Sequence, residues 1–303
     1  MTRHARASGE GGRTYRRRAS HSGSWYTDDG HLLDRQLAGW LRAASPGGVP
    51  GTVRAVIAPH AGFSYSAETA AFAYCHMDPT RVRTVFVLGP SHHVHLRGCA
   101  VSTASCMETP VGDLAINQDV TRALLSSGHF DAMTQRVDED EHSIEMHLPF
   151  IKKVMEGRSC NVVAIMVGAL AETTEASCGR VLAPYLDDPA NFFVVSSDFC
   201  HWGSRFRYQP CDPAHGPVHE YIRWLDHQGM TLIQSQDIKG FGRYLAEHAN
   251  TICGRHPIAA FMNAMKCSSA GFSVAWVKYA QSSKATSPQD SSVSYASAVV
   301  TLA

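Results

Sequence analysis

Four short apolar runs punctuate the first two-thirds of the chain: VRAVIAP (53–59), TVFVLGP (84–90), NVVAIMVG (161–168) and NFFVVSSD (191–198). Each is continuous rather than alternating and stops at Pro, Gly or a polar cluster, so each predicts a strand that is apolar on both faces. Helical stretches fall between them, at 65–76, 117–127, 142–156 and 172–186. This alternation is that of an α/β sheet covered by helices on both sides and at least partly parallel. Farther on, helices are expected at 213–229, 237–248 and 256–267. FSVAWVKYA (272–280) and SVSYASAVVTL (292–302) then alternate in the manner of an antiparallel pair. The pattern therefore predicts a single domain with a mixed, largely parallel central sheet flanked by helices.

Residues 1–18 (MTRHARASGEGGRTYRRR) contain one acid, Glu10, and no apolar period, so burial cannot offset the entropy of ordering them. They are read as a disordered basic tail, with the domain spanning 19–303. Their Arg-rich, acid-poor make-up also has the flavour of an organelle transit peptide, but without an amphipathic helix. PGGVPG (46–51) is read as the loop leading into the first strand.

Composition narrows the function classes. Apolar residues are 44% and charged residues 18% of the chain, which fits a globular protein rather than a fibrous or disordered one. Lys+Arg and Asp+Glu are equal at 27 each, so no global field favours nucleic acid or an anionic membrane. The sequence has neither a membrane-spanning apolar run nor a secretory h-region, and an intracellular protein is expected. Nine scattered cysteines then read as free thiols or metal ligands. Seventeen histidines change the picture, because imidazole is the commonest transition-metal ligand.

Three of the four apolar runs end in polar clusters: Pro59-His60-Ala61-Gly62, Gly89-Pro90-Ser91-His92-His93, and Ser196-Ser197-Asp198-Phe199-Cys200-His201-Trp202. In open α/β sheets the carboxyl ends of strands form the ligand crevice, so these clusters are expected along one edge. A fourth, Asp138 to His147 (DEDEHSIEMH), opens a predicted helix. Taken singly, each reads as a capping turn or a solvated acidic helix start; together they point to a shared metal or catalytic site. The chain has no CxxC pair and no HExxH, so neither a structural zinc site nor a zincin is indicated. Imidazoles from separate strand ends suit non-haem Fe(II) or copper better.

The ordered motifs PHAG (59–62), LGPSHHV (88–94), DEDEHSIEMHLPF (138–150), VVSSDFCHWG (194–203), NTICGRHPI (250–258) and YAQSSK with QDSSVSYAS (279–297) resemble the Memo family, from about Ala19 to the C-terminus. That resemblance implies a fold similar to the class III extradiol dioxygenases, which hold Fe(II) with two histidines and a carboxylate. Carried onto this chain, the histidines fall on His60 and His92, and the carboxylate position falls on Cys253. The acid-base histidine looks like His201, with Asp198 as an acid-base or ligand-orienting partner. A thiolate in place of the carboxylate favours softer binding, including Cu(I), and puts dioxygenase activity in doubt. The Gly254-Arg255-His256-Pro257 turn is expected to open a helix whose N-terminus, with Arg255, lowers the Cys253 thiol pKa. Cys200 is a weaker candidate for the same role. Trp25, Tyr26, Phe63 and Tyr65 are candidates for the pocket mouth.

The resemblance further implies a cytoplasmic and also nuclear protein that binds one iron or copper ion. It implies a role in redox and cell-motility signalling, with phosphotyrosine-bearing receptor or adaptor peptides and cytoskeletal signalling proteins as partners. Two other functions compete. One is a non-haem Fe(II) extradiol-type dioxygenase, an oxidoreductase acting on a small aromatic, favoured if Glu141 or another acid completes the metal shell. The other is a metal-independent phosphotyrosine-peptide adaptor, which needs cations such as Arg205, Arg207 and Arg255 around the pocket.

Overall fold

A computed structural model describes residues 14–44 and 48–303. In chain order its strands are β1 (Arg16–Arg17), β2 (Val53–Ala58), β3 (Thr84–Pro90), β4 (Cys99–Val101), β5 (Cys106–Met107), β6 (Leu114–Ile116), β7 (Phe130–Ala132), β8 (Asn161–Val167), β9 (Asn191–Ser196), β10 (His201–Trp202), β11 (Phe272–Gln281) and β12 (Ser292–Leu302). The helices are α1 (Gly30–Ala44), α2 (Phe63–Tyr74), α3 (Gln118–Ser126), α4 (Gln135–Asp140), α5 (His142–Glu145), α6 (Leu148–Val154), α7 (Glu172–Asp187), α8 (Val218–Gln234), α9 (Ile238–His248) and α10 (Arg255–Cys267).

The four apolar runs become neighbours. The sheet reads β6-β8-β3-β9-β2 through its centre, all parallel, with β12 antiparallel to β2 and β11 antiparallel to β12. This is the mixed, mostly parallel α/β sheet that the patterning predicts. Alternate residues of each central strand enter opposite cores. Ile57, Leu88 and Val195 pack with residues of α7, α8, α9 and α10, while Val56, Val87 and Val194 pack with α1, α2 and α6. Both faces are covered, which is why these strands carry no polar alternation.

Three expectations change. The helix expected at 142–156 is two pieces, α5 and α6, because Pro149 lacks an N–H and its ring cannot follow the carbonyl four residues before it. The helix expected from 213 begins at Val218, after a single 3-10 turn at Pro213–His215. The tail boundary also moves. Residues 1–13 of the expected tail, like 45–47 where the PGGVPG loop begins, lie outside the described residues, but Arg16 and Arg17 form β1 and pair with β5.

Arg17 is completely buried. Its guanidinium donates to Glu145 Oε2 at 2.6 Å, to Asp138 Oδ1 at 3.3 Å and to the Glu141 carbonyl at 2.8 Å. Glu145 also accepts from the Tyr26 hydroxyl at 2.7 Å and from the His21 amide at 2.9 Å. A buried guanidinium persists only with its donors matched, as here. Residues 16–26 are thereby pinned to the segment 138–145, which itself reaches the candidate site.

Candidate metal centre

Because β3, β9 and β2 lie side by side and parallel, their C-terminal ends open onto one edge. His60 lies two residues past β2, His92 two past β3 and Asp198 two past β9. Cys253 arrives on the loop entering α10, where its Sγ accepts the Asp198 amide at 3.3 Å. Donor atoms of His60, His92 and Cys253 all fall within 4.8 Å of one another, and Cys253 Sγ is 3.2 Å from His60 Nε2. The residues expected to form the centre therefore converge. His60 is 1% exposed and the His92 side chain 27%, so the cluster is sealed at His60 and open at His92.

Hydrogen bonds fix which ring nitrogen each imidazole presents. His60 Nδ1 is 2.6 Å from Ser196 Oγ, and that hydroxyl donates its own proton to the Ser143 carbonyl at 2.7 Å. The Ser196 oxygen can then only accept from the ring, so His60 carries its proton on Nδ1 and keeps a lone pair on Nε2 facing Cys253. His92 Nδ1 faces Glu141 Oε1 at 2.9 Å, an acceptor, so Nδ1 carries a proton and Nε2 is the nitrogen left for a metal once its own proton is displaced. Glu141 is itself anchored by the amides of His92 at 2.6 Å and Ser143 at 2.9 Å. Both of its oxygens are thus engaged, and it orients His92 as carboxylates do behind histidine ligands.

The electrostatics follow from this burial. His60 is held well below the usual imidazole range by burial and by the neighbouring histidines, which keeps it neutral. Burial also works against charge on His92, but its interactions with Cys253 and Glu141 outweigh that and raise it to about 10. Burial likewise pushes the Cys253 thiol up, contrary to the sequence expectation. The physical reason is that Arg255 is exposed and its guanidinium reaches only the Ile252 carbonyl, at 3.5 Å, so it does not face the sulfur. A thiol in this position ionises in exchange for a bound cation.

His201 and Asp198 line the same cavity, whose volume is about 650 Å³, without joining the donor group. His201 Nδ1 faces two carbonyls, Phe199 at 2.8 Å and Thr251 at 3.1 Å, so it carries the proton there and Nε2 is left as an acceptor. Asp198 is buried, its carboxyl raised by that burial, and its Oδ1 accepts the His60 amide at 2.9 Å. Trp25 and Tyr65 reach the cavity, whereas Tyr26 and Phe63 are each 5% exposed and belong to the core. Cys200 is fully buried, with its amide on Asp226 at 3.2 Å, and reads as core. Of the three arginines considered, Arg205 alone lines the cavity, its guanidinium 4.4 Å over the Phe206 ring.

His142 is the participant that sequence reasoning left without a role. Its ring stacks on His92 at 4.5 Å and lies tilted against Trp25 at 4.3 Å, and its Nδ1, 3.5 Å from Glu141 Oε1, is buried without a hydrogen-bond partner among the described residues. Burial holds it down at about 3. With His92 and Glu141 it forms the second group of converging donors among the described residues. Its place in an acidic helix start gave no sign of this, because the stacking partner Trp25 is remote in sequence.

Fold and site together define an α/β protein with a candidate imidazole–thiol centre at its strand ends. The Memo-like protein family matches residues 17–299, and the chain belongs to that family. It is 47% identical to Protein MEMO1 of Rattus norvegicus over 291 residues, covering 94% of this chain and 97% of that protein. Against Protein MEMO1 of Homo sapiens identity is 46% with the same coverage, and against the memo-1 homolog of Caenorhabditis elegans it is 45%, covering 94% and 82%. Among solved structures, an uncharacterized protein from Escherichia coli K12 is similar with a TM-score of 0.47 at 14% identity, covering 82% of this chain and 99% of that one. Among the described residues, no helix is long and apolar enough to cross a membrane.

Proposed function

We propose that this chain holds one iron or copper ion between His60, His92 and Cys253 and acts in the redox and cell-motility signalling that links receptor tyrosine kinases to the cytoskeleton. What carries the metal assignment is the convergence of one ring nitrogen from each of His60 and His92 and one thiol within 4.8 Å, with both Nδ1 atoms held by Ser196 and Glu141. A neutral, buried His60 suits ligation, and the mixed imidazole–thiolate set suits Fe(II) and copper, with sulfur favouring Cu(I). A bound ion would supply one-electron chemistry at this edge of the sheet. Around it, Asp198 holds the His60 backbone, and His201 Nε2 is free to take or hold a proton in the cavity. The signalling role and its phosphotyrosine-peptide and cytoskeletal partners rest on family membership.

A second reading, an extradiol-type oxygenase, is favoured by that His201 nitrogen facing a cavity large enough for a small aromatic. Against it stands Glu141, whose oxygens are committed to His92 and two amides and so do not complete a facial triad. The metal-free adaptor has a single arginine at the cavity where several were expected. Metal analysis of anaerobically purified protein, followed by oxygen-uptake assays with catechols, separates these readings. Stoichiometric metal without uptake is expected. Uptake that His201→Ala abolishes would support the oxygenase, and the absence of stoichiometric iron or copper would remove both metal readings.

A further inference from the structure

Away from the metal centre, two thiols lie in contact inside the fold. Cys99 opens β4, Cys178 lies in the middle of α7, and each is 1% exposed. Their sulfurs are 3.3 Å apart. A disulfide needs about 2.05 Å, so roughly 1.3 Å of approach separates the pair from a covalent bond.

Both supports are stiff. β4 is paired on both sides, with β7 and with β8. α7 packs on α10 so tightly that a Cβ on Gly179, the residue after Cys178, would meet Asn263 Cβ at 2.5 Å. Backbone drift therefore does not carry the sulfurs apart, and side-chain rotation suffices to bring them together. Two further features favour oxidation over inert packing. Whichever thiol donates in this contact lowers the pKa of the other, and burial keeps out a bulky thiol that would cap either sulfur.

We propose that Cys99 and Cys178 form a redox-sensitive dithiol that closes to an intramolecular disulfide on reaction with a small two-electron oxidant such as hydrogen peroxide. The Cys178 thiolate attacks one peroxide oxygen, giving a sulfenic acid, and the departing hydroxide takes up the proton that Cys178 released, leaving as water. Cys99 sulfur then attacks the sulfenic sulfur. The S–O bond breaks as the S–S bond forms, and the displaced hydroxide takes the Cys99 proton to give a second water. Each sulfur loses one electron and the peroxide gains two. The product ties the strand that follows the His92 loop to the helix lying against α10, which Cys253 precedes.

The test treats native protein with a small excess of hydrogen peroxide, quenches it, alkylates free thiols in denaturant and maps the non-reduced peptides. Cys211 and Cys267 are exposed and report that the oxidant acted. The expected result is a Cys99–Cys178 linked peptide pair in most molecules, released by dithiothreitol and retained in Cys253→Ser, so that the outcome is independent of the metal reading. Cross-linking an internal loop of this length is also expected to raise Tm by roughly 5 °C in the oxidised protein. Cys99→Ala and Cys178→Ser should each show no such rise. If Cys99 and Cys178 remain fully alkylatable while Cys211 and Cys267 are oxidised, or if either links to another cysteine instead, the pair is inert core and the proposal falls.

Discussion

Gly254 approaches Ser197 so closely that a Cβ on it would lie 2.3 Å from Ser197 Cβ and 2.4 Å from the Ser196 carbonyl oxygen. The absence of a side chain is what lets the Cys253 loop reach the end of β9, where the Gly254 amide donates to Ser197 Oγ at 3.1 Å. Gly254→Ala is therefore expected to push the loop outward, costing about 1–3 kcal/mol as overpacking does and weakening metal binding at the same time. Thermal melts and anaerobic metal titrations on one sample check this; wild-type affinity would show that Cys253 does not depend on the approach.

Cys253→Ser and His60→Ala should each lower metal affinity steeply, whereas His93→Ala should not. His93 is exposed and meets His142 only edge-on at 5.9 Å, outside the donor group. Loss of the thiolate should weaken Cu(I) more than Fe(II). Anaerobic titration with each metal, with circular dichroism as the folding control, decides it. A Cys253→Ser protein that binds both metals like wild type would take the thiol out of the centre.

Ser196→Ala removes the only acceptor among the described residues for the His60 Nδ1 proton and frees the ring to exchange tautomers. A fall in metal affinity of about 10–100-fold is expected, as for other groups that orient ligands from behind, with the fold unchanged. Ser196→Thr, which keeps the hydroxyl, should recover most of it. Equal affinities for the alanine and threonine variants would mean that the tautomer is set elsewhere.

Arg17→Met leaves Asp138 and Glu145 buried without their cation, and stability should drop by about 3–5 kcal/mol. Truncation to Ala19 should have a similar effect. Arg17→Lys should not rescue, because one ammonium cannot match a fork spread over Asp138, Glu145 and three backbone carbonyls. Urea titrations measure this directly; a loss under about 1 kcal/mol would place the network among weak surface pairs.

Acid should unfold the protein in two overlapping steps. Burial opposes charge on Glu145, but hydrogen bonds from His21, Tyr26 and Arg17 together with the Arg17 charge hold its carboxyl down to about 2, against an ordinary 4.5. Its stabilisation is therefore complete above 4.5 and lost as pH falls toward 2. His147 is depressed by burial to about 3 from an ordinary 6.5, so the unfolded chain takes up its proton first and stability is lost from 6.5 downward. Each group contributes at most about 1.4 kcal/mol per pH unit. His147→Gln should flatten the limb between pH 6.5 and 4.5 and leave the lower one. An unchanged limb would assign it to other histidines.

Continuous apolar strands and a C-terminal alternating pair were legible in the sequence because each carries its own periodicity. The strands β4, β5, β6 and β7 have two or three residues each, too few for any period to register, and they exist through pairing with distant partners. α1 was missed although Leu33 and Leu37 bury one face, since Gly30 and Gly39 and its mixed polarity dilute the helical signal. Arg17 was misread because a charged residue in an Arg-rich run looks solvated until its carboxylates, more than a hundred positions away, are placed beside it. At the site, His60 and His92 stood out at strand ends, and Cys253 entered only through family resemblance. Ser196 and His142 lay within the clusters that marked the site, but nothing in the sequence gave their roles, because a serine in a strand and a histidine in an acidic stretch become informative only through what they touch.

The place of β12 between β2 and β11 has a consequence for how the molecule is made. This strand is synthesised after every other strand of the sheet, yet Ala298 must find Ile57 and Val299 must find Val56 near the opposite end of the chain. Until it does, a nascent chain on the ribosome presents the backbone edge of β2 without its neighbour, an invitation to pair with other chains. Biogenesis should thus depend on chaperones that hold this edge until β12 has emerged, and a premature stop before residue 292 should yield aggregate rather than a smaller working protein.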